Sequence, residues 1–134
     1  MANTYKSYFV DLTTTNKTLI YTVPANTTAL VKTIQLTNES GNVNVQVYVT
    51  DTSASVEYEI AHITMTARST DNFAYGTVVL EAGDLIKIQA ATANTVTGVI
   101  SVLEISYAWL ILLVYQKTRL NYHGIKLSNQ LLKH

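Results

Sequence analysis

Residues 19–50, LIYTVPANTTALVKTIQLTNESGNVNVQVYVT, decide the fold class of this chain. Near their end, valines at positions 43, 45, 47 and 49 alternate with polar or aromatic residues, which is the period of a strand with one face against a core. β-branched side chains suit such a half-buried pleated surface. The preceding segment NESGN, residues 38–42, collects side chains that bond locally or accept a positive φ. The stretch predicts an antiparallel all-β domain.

The same signals recur outward from this stretch and predict eight strands, at about residues 5–12, 18–23, 29–38, 42–50, 55–64, 72–80, 85–91 and 97–107. Pro24 cannot donate to a ladder and is therefore placed at a strand end, while Gly83 suits a positive φ in the turn before Leu85. Residues 69–72 are predicted to be a loop. Short strands at this spacing indicate a single antiparallel β-sandwich or jelly-roll-like domain over residues 1–106. They do not determine the strand order.

The composition indicates one domain with a weakly charged surface. The chain has 134 residues, of which 13% are charged, about half the usual share. Weak charge does little to keep copies of a protein apart, so we expect tolerance for close packing with neighbours. The absence of cysteine excludes disulfides and thiolate zinc sites. The N-terminal residues show no secretory signal, and we expect a soluble protein made in a cytoplasm, with no membrane segment.

Residues 107–134 differ from the rest and are interpreted as a C-terminal extension. They carry four basic residues and no acid, whereas residues 1–106 carry five basic and nine acidic residues. A basic tail on an acidic body suits docking on another body or on a polyanion, although a solvated terminus has the same pattern. Three structures fit the segment: an extension of the last strand that pairs with a neighbour, a helix, or an appendage unrelated to the domain.

The extension begins with an apolar run that is the candidate protein interface. Residues 108–115 are far shorter than the roughly 20 residues needed to span a bilayer. Eight contiguous apolar residues left in water would aggregate, so we expect the run to be buried against its own chain or another one. Its candidate interface residues are Trp109, Leu110, Ile111, Leu112, Leu113, Val114 and Tyr115.

The sequence contains no recognisable catalytic, metal or cofactor motif, and we predict none of these sites and no enzyme. Glu57 and Glu59 share one face of a strand, but hydrolysis needs carboxylates on opposite sides of a bond, and a solvated surface is the expected reading. His62 shares the parity of Tyr58 and Ile60, which predicts a half-buried, hydrogen-bonded histidine. Gly83 and Gly98 are isolated, so no phosphate-binding loop is present.

Tyrosines are the best candidates for recognition in residues 1–106. The chain has nine of them. Aromatic side chains dominate interface energetics and stack on sugar rings, although packing in the core or at sheet edges is their ordinary role. The candidates are Tyr5, Tyr8, Tyr48 and Tyr75. Scattered basic residues argue against nucleic-acid binding by this part of the chain.

Two stretches resemble a known group of proteins. YTVPANTTALVKTIQLTN at residues 21–38 and VLEAGDLIKIQ at residues 79–89 resemble small β-sandwich structural proteins of tailed bacteriophage virions, in particular those of marine phages including cyanophages. In that group a YTVPANTTA opening is followed by a hydrophobic strand pair and, later, by a GD turn into the last strands. The resemblance covers about residues 18–106 and does not include the extension.

The resemblance implies a non-enzymatic virion component, assembled in the host cytoplasm and held by other virion proteins, such as the major capsid or tail proteins. It implies either a capsid decoration or cement protein, or an accessory protein of the tail, baseplate or fibre. Proteins of this group are commonly homo-oligomers, with trimers favoured. Pro24 and Gly83 match as turn positions only. A carbohydrate-binding module for receptor recognition is the alternative that the tyrosines suggest.

Overall fold

A computed structural model describes residues 2–106, which form nine β-strands and no helix. The strands are β1 Ala2–Asp11, β2 Thr18–Thr22, β3 Thr27–Asn38, β4 Val43–Asp51, β5 Val56–Met65, β6 Thr70–Asn72, β7 Val78–Leu80, β8 Leu85–Ala90 and β9 Val96–Ser106. The all-β prediction is confirmed. Within this part of the chain there is no helix that could cross a bilayer. The extension and its candidate interface at residues 109–115 lie outside the described residues.

The strands form two antiparallel sheets. The five-stranded sheet has the order β1-β9-β3-β6, with β7 also paired to β3, and the four-stranded sheet has the order β2-β8-β4-β5. The pairs are nested: β4 pairs with β5, β3 with β6 and β7, β2 with β8, and β1 with β9. This is a long antiparallel ribbon folded over itself, so the predicted sandwich is of the jelly-roll kind.

The core lies between the two sheets and follows the predicted alternation. Val43, Val45 and Val47 of β4 are buried, and Val49 is partly buried against them. Equivalent positions on the other strands complete the core, together with Leu12 and Phe73, which follow the ends of β1 and β6. The largest fully buried side chains are those of Phe73, Leu12, Ile34, Leu36, Met65, Ile86, Ile88 and Ile100. Because both sheets contribute one apolar face, the remaining faces point to solvent.

Two predicted turns are built as their residues suggest. The fully buried side chain of Asn38 donates to the carbonyls of Gly41 and Thr66 at 2.8 and 3.0 Å and accepts from the Ser40 amide at 3.1 Å. It therefore closes the β3–β4 turn from inside. Gly83 has a φ of 88° in the turn before β8, as predicted.

The strand predicted at residues 72–80 is wrong as a single element, and residues 69–72 are not a loop. Residues 70–72 are β6, which pairs with the end of β3, and β7 begins only at Val78. The side-chain oxygen of Asn72 accepts from the amides of Ile34 and Ala74, both at 3.1 Å. This side chain replaces a backbone acceptor in the ladder and turns the chain into a loop of residues 73–77, which anchors on buried Phe73.

Candidate functional site: the outer face of the five-stranded sheet

The candidate site is the face of the five-stranded sheet that points away from the core, which we term the outer face. Tyr8 and Val10 of β1 face the interior, so strand alternation turns Tyr5, Ser7 and Phe9 outward. Strand register aligns these with β9 and β3 in three cross-strand rows, Tyr5–Leu103–Leu30, Ser7–Ser101–Thr33 and Phe9–Val99–Gln35, with Val79 of β7 beside Leu30.

The outer face is uncharged over these rows, with two largely apolar rows on either side of the Ser7–Ser101–Thr33 row. Tyr5, Phe9 and Val79 are 78, 83 and 62% exposed. None of the three rows, as the structure describes them, contains a charged side chain. Depletion of charge and enrichment of aromatic residues are the compositional signs of the centre of a protein interface. The face therefore has the chemistry of a contact surface.

A groove of about 310 Å³ lies beside Tyr5 on the outer face. Its floor is the Ser7–Ser101 row, where the side chains are short, and Tyr5 stands at one side. Lys32 stands on β3, where the pairing with β9 shifts register between Val31 and Thr33. The groove is large enough to accept a side chain of a partner, and it is lined by the hydroxyl groups of Ser7 and Ser101 and by two lysines, Lys6 and Lys32, beside the Tyr5 ring.

A buried carboxylate fixes β1 beneath this face. Glu104 of β9 is 6% exposed, and its side chain accepts from the hydroxyls of Tyr21 and Tyr8 at 2.6 and 3.4 Å. The Lys6 ammonium lies 2.9 Å from the same carboxylate. The rings of Tyr8 and Tyr21 pack with centroids 4.7 Å apart. These contacts join β1 and β9 to β2 of the other sheet.

The electrostatics of this cluster favour an ionised Glu104. Burial by itself would raise the pKa of Glu104, but the hydrogen bonds from Tyr21 and Lys6 and the charge of Lys6 outweigh it, so the pKa is lowered. Burial and the bond to Glu104 raise the pKa of Tyr21, and the same bond raises the pKa of Lys6. Around neutral pH, Glu104 therefore stays ionised while Lys6 and Tyr21 stay protonated, which suits a structural role.

The four candidate tyrosines do not form one site. Tyr5 lies on the outer face, and Tyr75 is 76% exposed in the loop of residues 73–77. Tyr8 is partly buried against Tyr21. Tyr48 lies on β4 in the other sheet, with the Lys17 ammonium 4.0 Å from its ring centroid. Only Tyr5 and Tyr75 have the exposure that recognition needs.

The paired glutamates lie on the solvent side of the four-stranded sheet and bind cations of their own chain. Glu57 contacts Lys17 and Lys87, and these hydrogen bonds, that from Lys17 above all, lower its pKa. Glu59 pairs with the Nδ1 atom of His62 at 3.0 Å. Residues 2–106 hold no group of three or more side chains that could ligate a metal ion.

The prediction for His62 is wrong for its face of the strand, although the predicted polar partner is present as Glu59. The β4–β5 ladder shifts register between Val47 and Tyr48, where Ala61 and Glu59 are the successive partners. One residue, Ile60, is therefore extra, and the alternation reverses across it. His62 points to solvent with 52% of its side chain exposed, rather than sharing a face with Tyr58.

Sequence reasoning missed Phe9 and Glu104. Phe9 alternates with Tyr8 and Val10 in SYFVD, so both faces of β1 are apolar, and this pattern was a usable sign of an exposed apolar face. Glu104 carries no local sign. Its partners Tyr21 and Tyr8 are 83 and 96 positions away in sequence and meet it only through the strand order.

Neither a protein-family model nor a curated protein sequence matches this chain. Among solved structures, one similar chain comes from Bacillus endospore appendages, which form disulfide-linked pili; it has 14% identity and a TM-score of 0.45 over 78% of this chain and 88% of that chain. Another comes from the virus-like particle of the extra small virus of the prawn Macrobrachium rosenbergii, with 14% identity and a TM-score of 0.24 over 77% and 80% of the two chains.

Proposed function

We propose that this chain is a non-enzymatic structural protein that acts through protein–protein contacts, as a component of a tailed-bacteriophage virion. The observation that carries the proposal is the outer face, where Tyr5, Phe9 and Val79 expose apolar surface without a charge among them. Several exposed aromatic and aliphatic side chains on one uncharged face are typical of an interaction site. The resemblance of residues 21–38 and 79–89 to virion proteins supports the choice of assembly.

Within the virion, the proposal is a capsid decoration or cement protein, or an accessory of the tail, baseplate or fibre. Its partners would be the major capsid or tail proteins and further copies of the chain, with a trimer favoured by the resemblance. Burial of a large side chain such as Phe9 contributes about 1.5–3 kcal/mol before association costs. Several such contacts, repeated with the symmetry of the particle, give a durable attachment through avidity.

Residues 107–134 are proposed as a second contact of the same kind, an arm that uses Trp109 to Tyr115. The described strand β9 ends at Ser106, which pairs with Ala2 of β1 in the sheet that carries the outer face. Removal of residues 107–134 should leave a folded domain that joins its assembly less well. Unchanged incorporation of the shortened chain would remove the arm from the proposal and leave the outer face.

Incorporation into particles tests the outer face. Phage particles assembled in the presence of a tagged chain are purified, and the tag is counted and located by immunogold imaging. Phe9→Ser is expected to lower incorporation about tenfold or more, because burial of that ring is worth more than the 1.4 kcal/mol that corresponds to tenfold in affinity. Leu19→Ser is the matched control, since Leu19 is 53% exposed on the other sheet and should have no effect. A chain absent from every purified particle would contradict the proposal.

Exposure of Tyr75 in its loop favours carbohydrate binding as a second candidate function. If this loop recognises a glycan receptor, the purified chain binds defined members of a glycan array, and Tyr75→Ala removes the signal. Tyr48→Phe serves as the control, because that ring is partly buried and in contact with Lys17. An array without binding at any glycan excludes this candidate.

A further inference from the structure

Strand β1 is an edge that the sandwich leaves open. Among the described residues it pairs with β9 alone, at the end of the five-stranded sheet. It runs for ten residues, and its register with β9 is uninterrupted from Ala2 to Asp11. An exposed edge of this length presents a row of unpaired backbone donors and acceptors that can bind another strand.

The other edges within residues 2–106 carry features that discourage strand addition. β2 has five residues and a register shift, and β5 has the irregularity at Ile60. β6 and β7 have three residues each. β1 has no proline and no irregularity, and the one charge in its interior, Lys6, is bound to Glu104. Short strands, bulges and free charges are the usual protection of an edge, and β1 lacks them.

We propose that β1 pairs antiparallel with β1 of a second copy of this chain, across a twofold axis at Ser7, so that the two five-stranded sheets become one continuous sheet. This register sets Tyr5 opposite Phe9 of the second copy, and Phe9 opposite its Tyr5. Both aromatic pairs then lie on the outer face, and nine residues of each strand are paired. Directly opposed aromatic residues stabilise strand pairs.

Neighbouring registers of the two β1 strands give less favourable side-chain pairs. The twofold axis must pass beside a residue that faces its own copy, because directly opposed residues point to the same side of the sheet. Only then do the two outer faces lie on the same side. Centring on Lys6 sets two ammonium groups opposite each other, which is destabilising. Centring on Tyr8 sets Phe9 opposite Ser7 and Asp11 opposite Tyr5, and pairs only seven residues of each strand. The sequence of β1, ANTYKSYFVD, is therefore most self-complementary about Ser7.

The pairing depends on the proposed structural role only for its purpose. It extends that role by naming a second copy of the chain as the partner. It makes the assembly unit a twofold dimer, in place of the trimer that the resemblance favours. Two outer faces on one side of a continuous sheet also double the apolar contact surface that Tyr5 and Phe9 provide.

Because the chain has no cysteine, a single introduced thiol tests the axis directly. Under mild oxidation, full-length Ser7→Cys is expected to form at least about tenfold more disulfide-linked dimer than Ser101→Cys, because disulfides need Cα atoms within about 7 Å. Ser101 is the matched control: it lies opposite Ser7 on the same face, one strand further in, so two copies of it are about 14 Å apart in the proposed sheet.

The register is tested by mixing two variants at positions that the axis brings together. Asn3→Cys and Asp11→Cys should cross-link in a mixture and not separately, since each position opposes the other and both are exposed. Light scattering of the unmodified full chain should give the mass of a dimer. Hydrogen exchange should show protected amides along both edges of β1.

Three results would overturn the pairing. The first is a monomeric chain in which Ser7→Cys forms no cross-links. The second is cross-linking of Ser101→Cys as readily as Ser7→Cys, which would indicate face-to-face contact, and the third is a monomer with protected β1 amides, which would assign the edge to residues 107–134. The particle assay separates this inference from the proposed function. A monomer that enters particles refutes the pairing alone, whereas a dimer absent from particles refutes the function alone.

Discussion

Replacement of Gly98 by alanine is expected to cost about 3 kcal/mol or more of the unfolding free energy, and replacement by valine to prevent folding. Gly98 lies in β9 between Val10 of β1 and Leu36 of β3. A Cβ atom there would stand 2.1 Å from the backbone oxygen of Gln35 and 2.8 Å from a methyl carbon of Leu36. The backbone oxygen belongs to the strand that pairs with β9, so relief of the clash requires local separation of the β3–β9 ladder.

Denaturant unfolding followed by circular dichroism measures this effect. Gly41→Ala is the matched control, because a Cβ atom at Gly41 meets nothing within 4 Å, and the change should stay within about 0.5 kcal/mol. Wild-type stability in the Gly98→Ala protein would mean that β3 and β9 do not approach each other as described.

Loss of the Glu104 side chain is expected to have an effect of similar size. Glu104→Ala should cost about 3 kcal/mol, because it leaves the buried Tyr21 hydroxyl without its acceptor and opens a cavity between the sheets. Lys6 would also lose its ion-pair partner. Glu81→Ala provides a control at an exposed glutamate, with little expected change.

The pH dependence of stability separates charge from packing in this cluster. The folded-state pKa of Glu104 is lowered from its ordinary value of 4.5. The stabilisation is therefore complete above about pH 4.5 and is lost as the pH falls through the lower folded value. Glu104→Gln should remove this part of the acid sensitivity, seen as a smaller decline of the unfolding free energy between pH 5 and 2 in urea. An unchanged decline would show that the pKa of Glu104 does not differ between the folded and unfolded states.

The fold class could be predicted from the sequence because its signals are local. The alternation of Val43, Val45 and Val47 needs no knowledge of the other strands, and Gly83 meets a requirement of its own turn. The division of residues 70–80 into two strands was not accessible in this way. It depends on the side chain of Asn72 bonding the backbone of Ile34, a contact 38 positions away in sequence.

The candidate site could be predicted only in part. Tyr5 was identified from its residue type, but the outer face requires the register of β1 with β9 and β3, which local signals do not specify. The register shift at Ile60 likewise reversed the prediction for His62, because a single extra residue changes the face of every residue beyond it. The arm at residues 109–115 stays a prediction.

Nested pairing also determines how long each strand waits for its partner during synthesis. Strand β1 emerges from the ribosome well before its partner β9, as the 96-position separation of Tyr8 and Glu104 shows. At 5 to 20 residues per second this interval is about 5 to 20 seconds. Among the strands of residues 2–106, β4 and β5 are the only consecutive pair and can close promptly, whereas the distant pairing of the others slows folding. During this interval each nascent chain exposes β1 without its partner β9, and neighbouring nascent chains on the same messenger RNA are then within reach of that open edge.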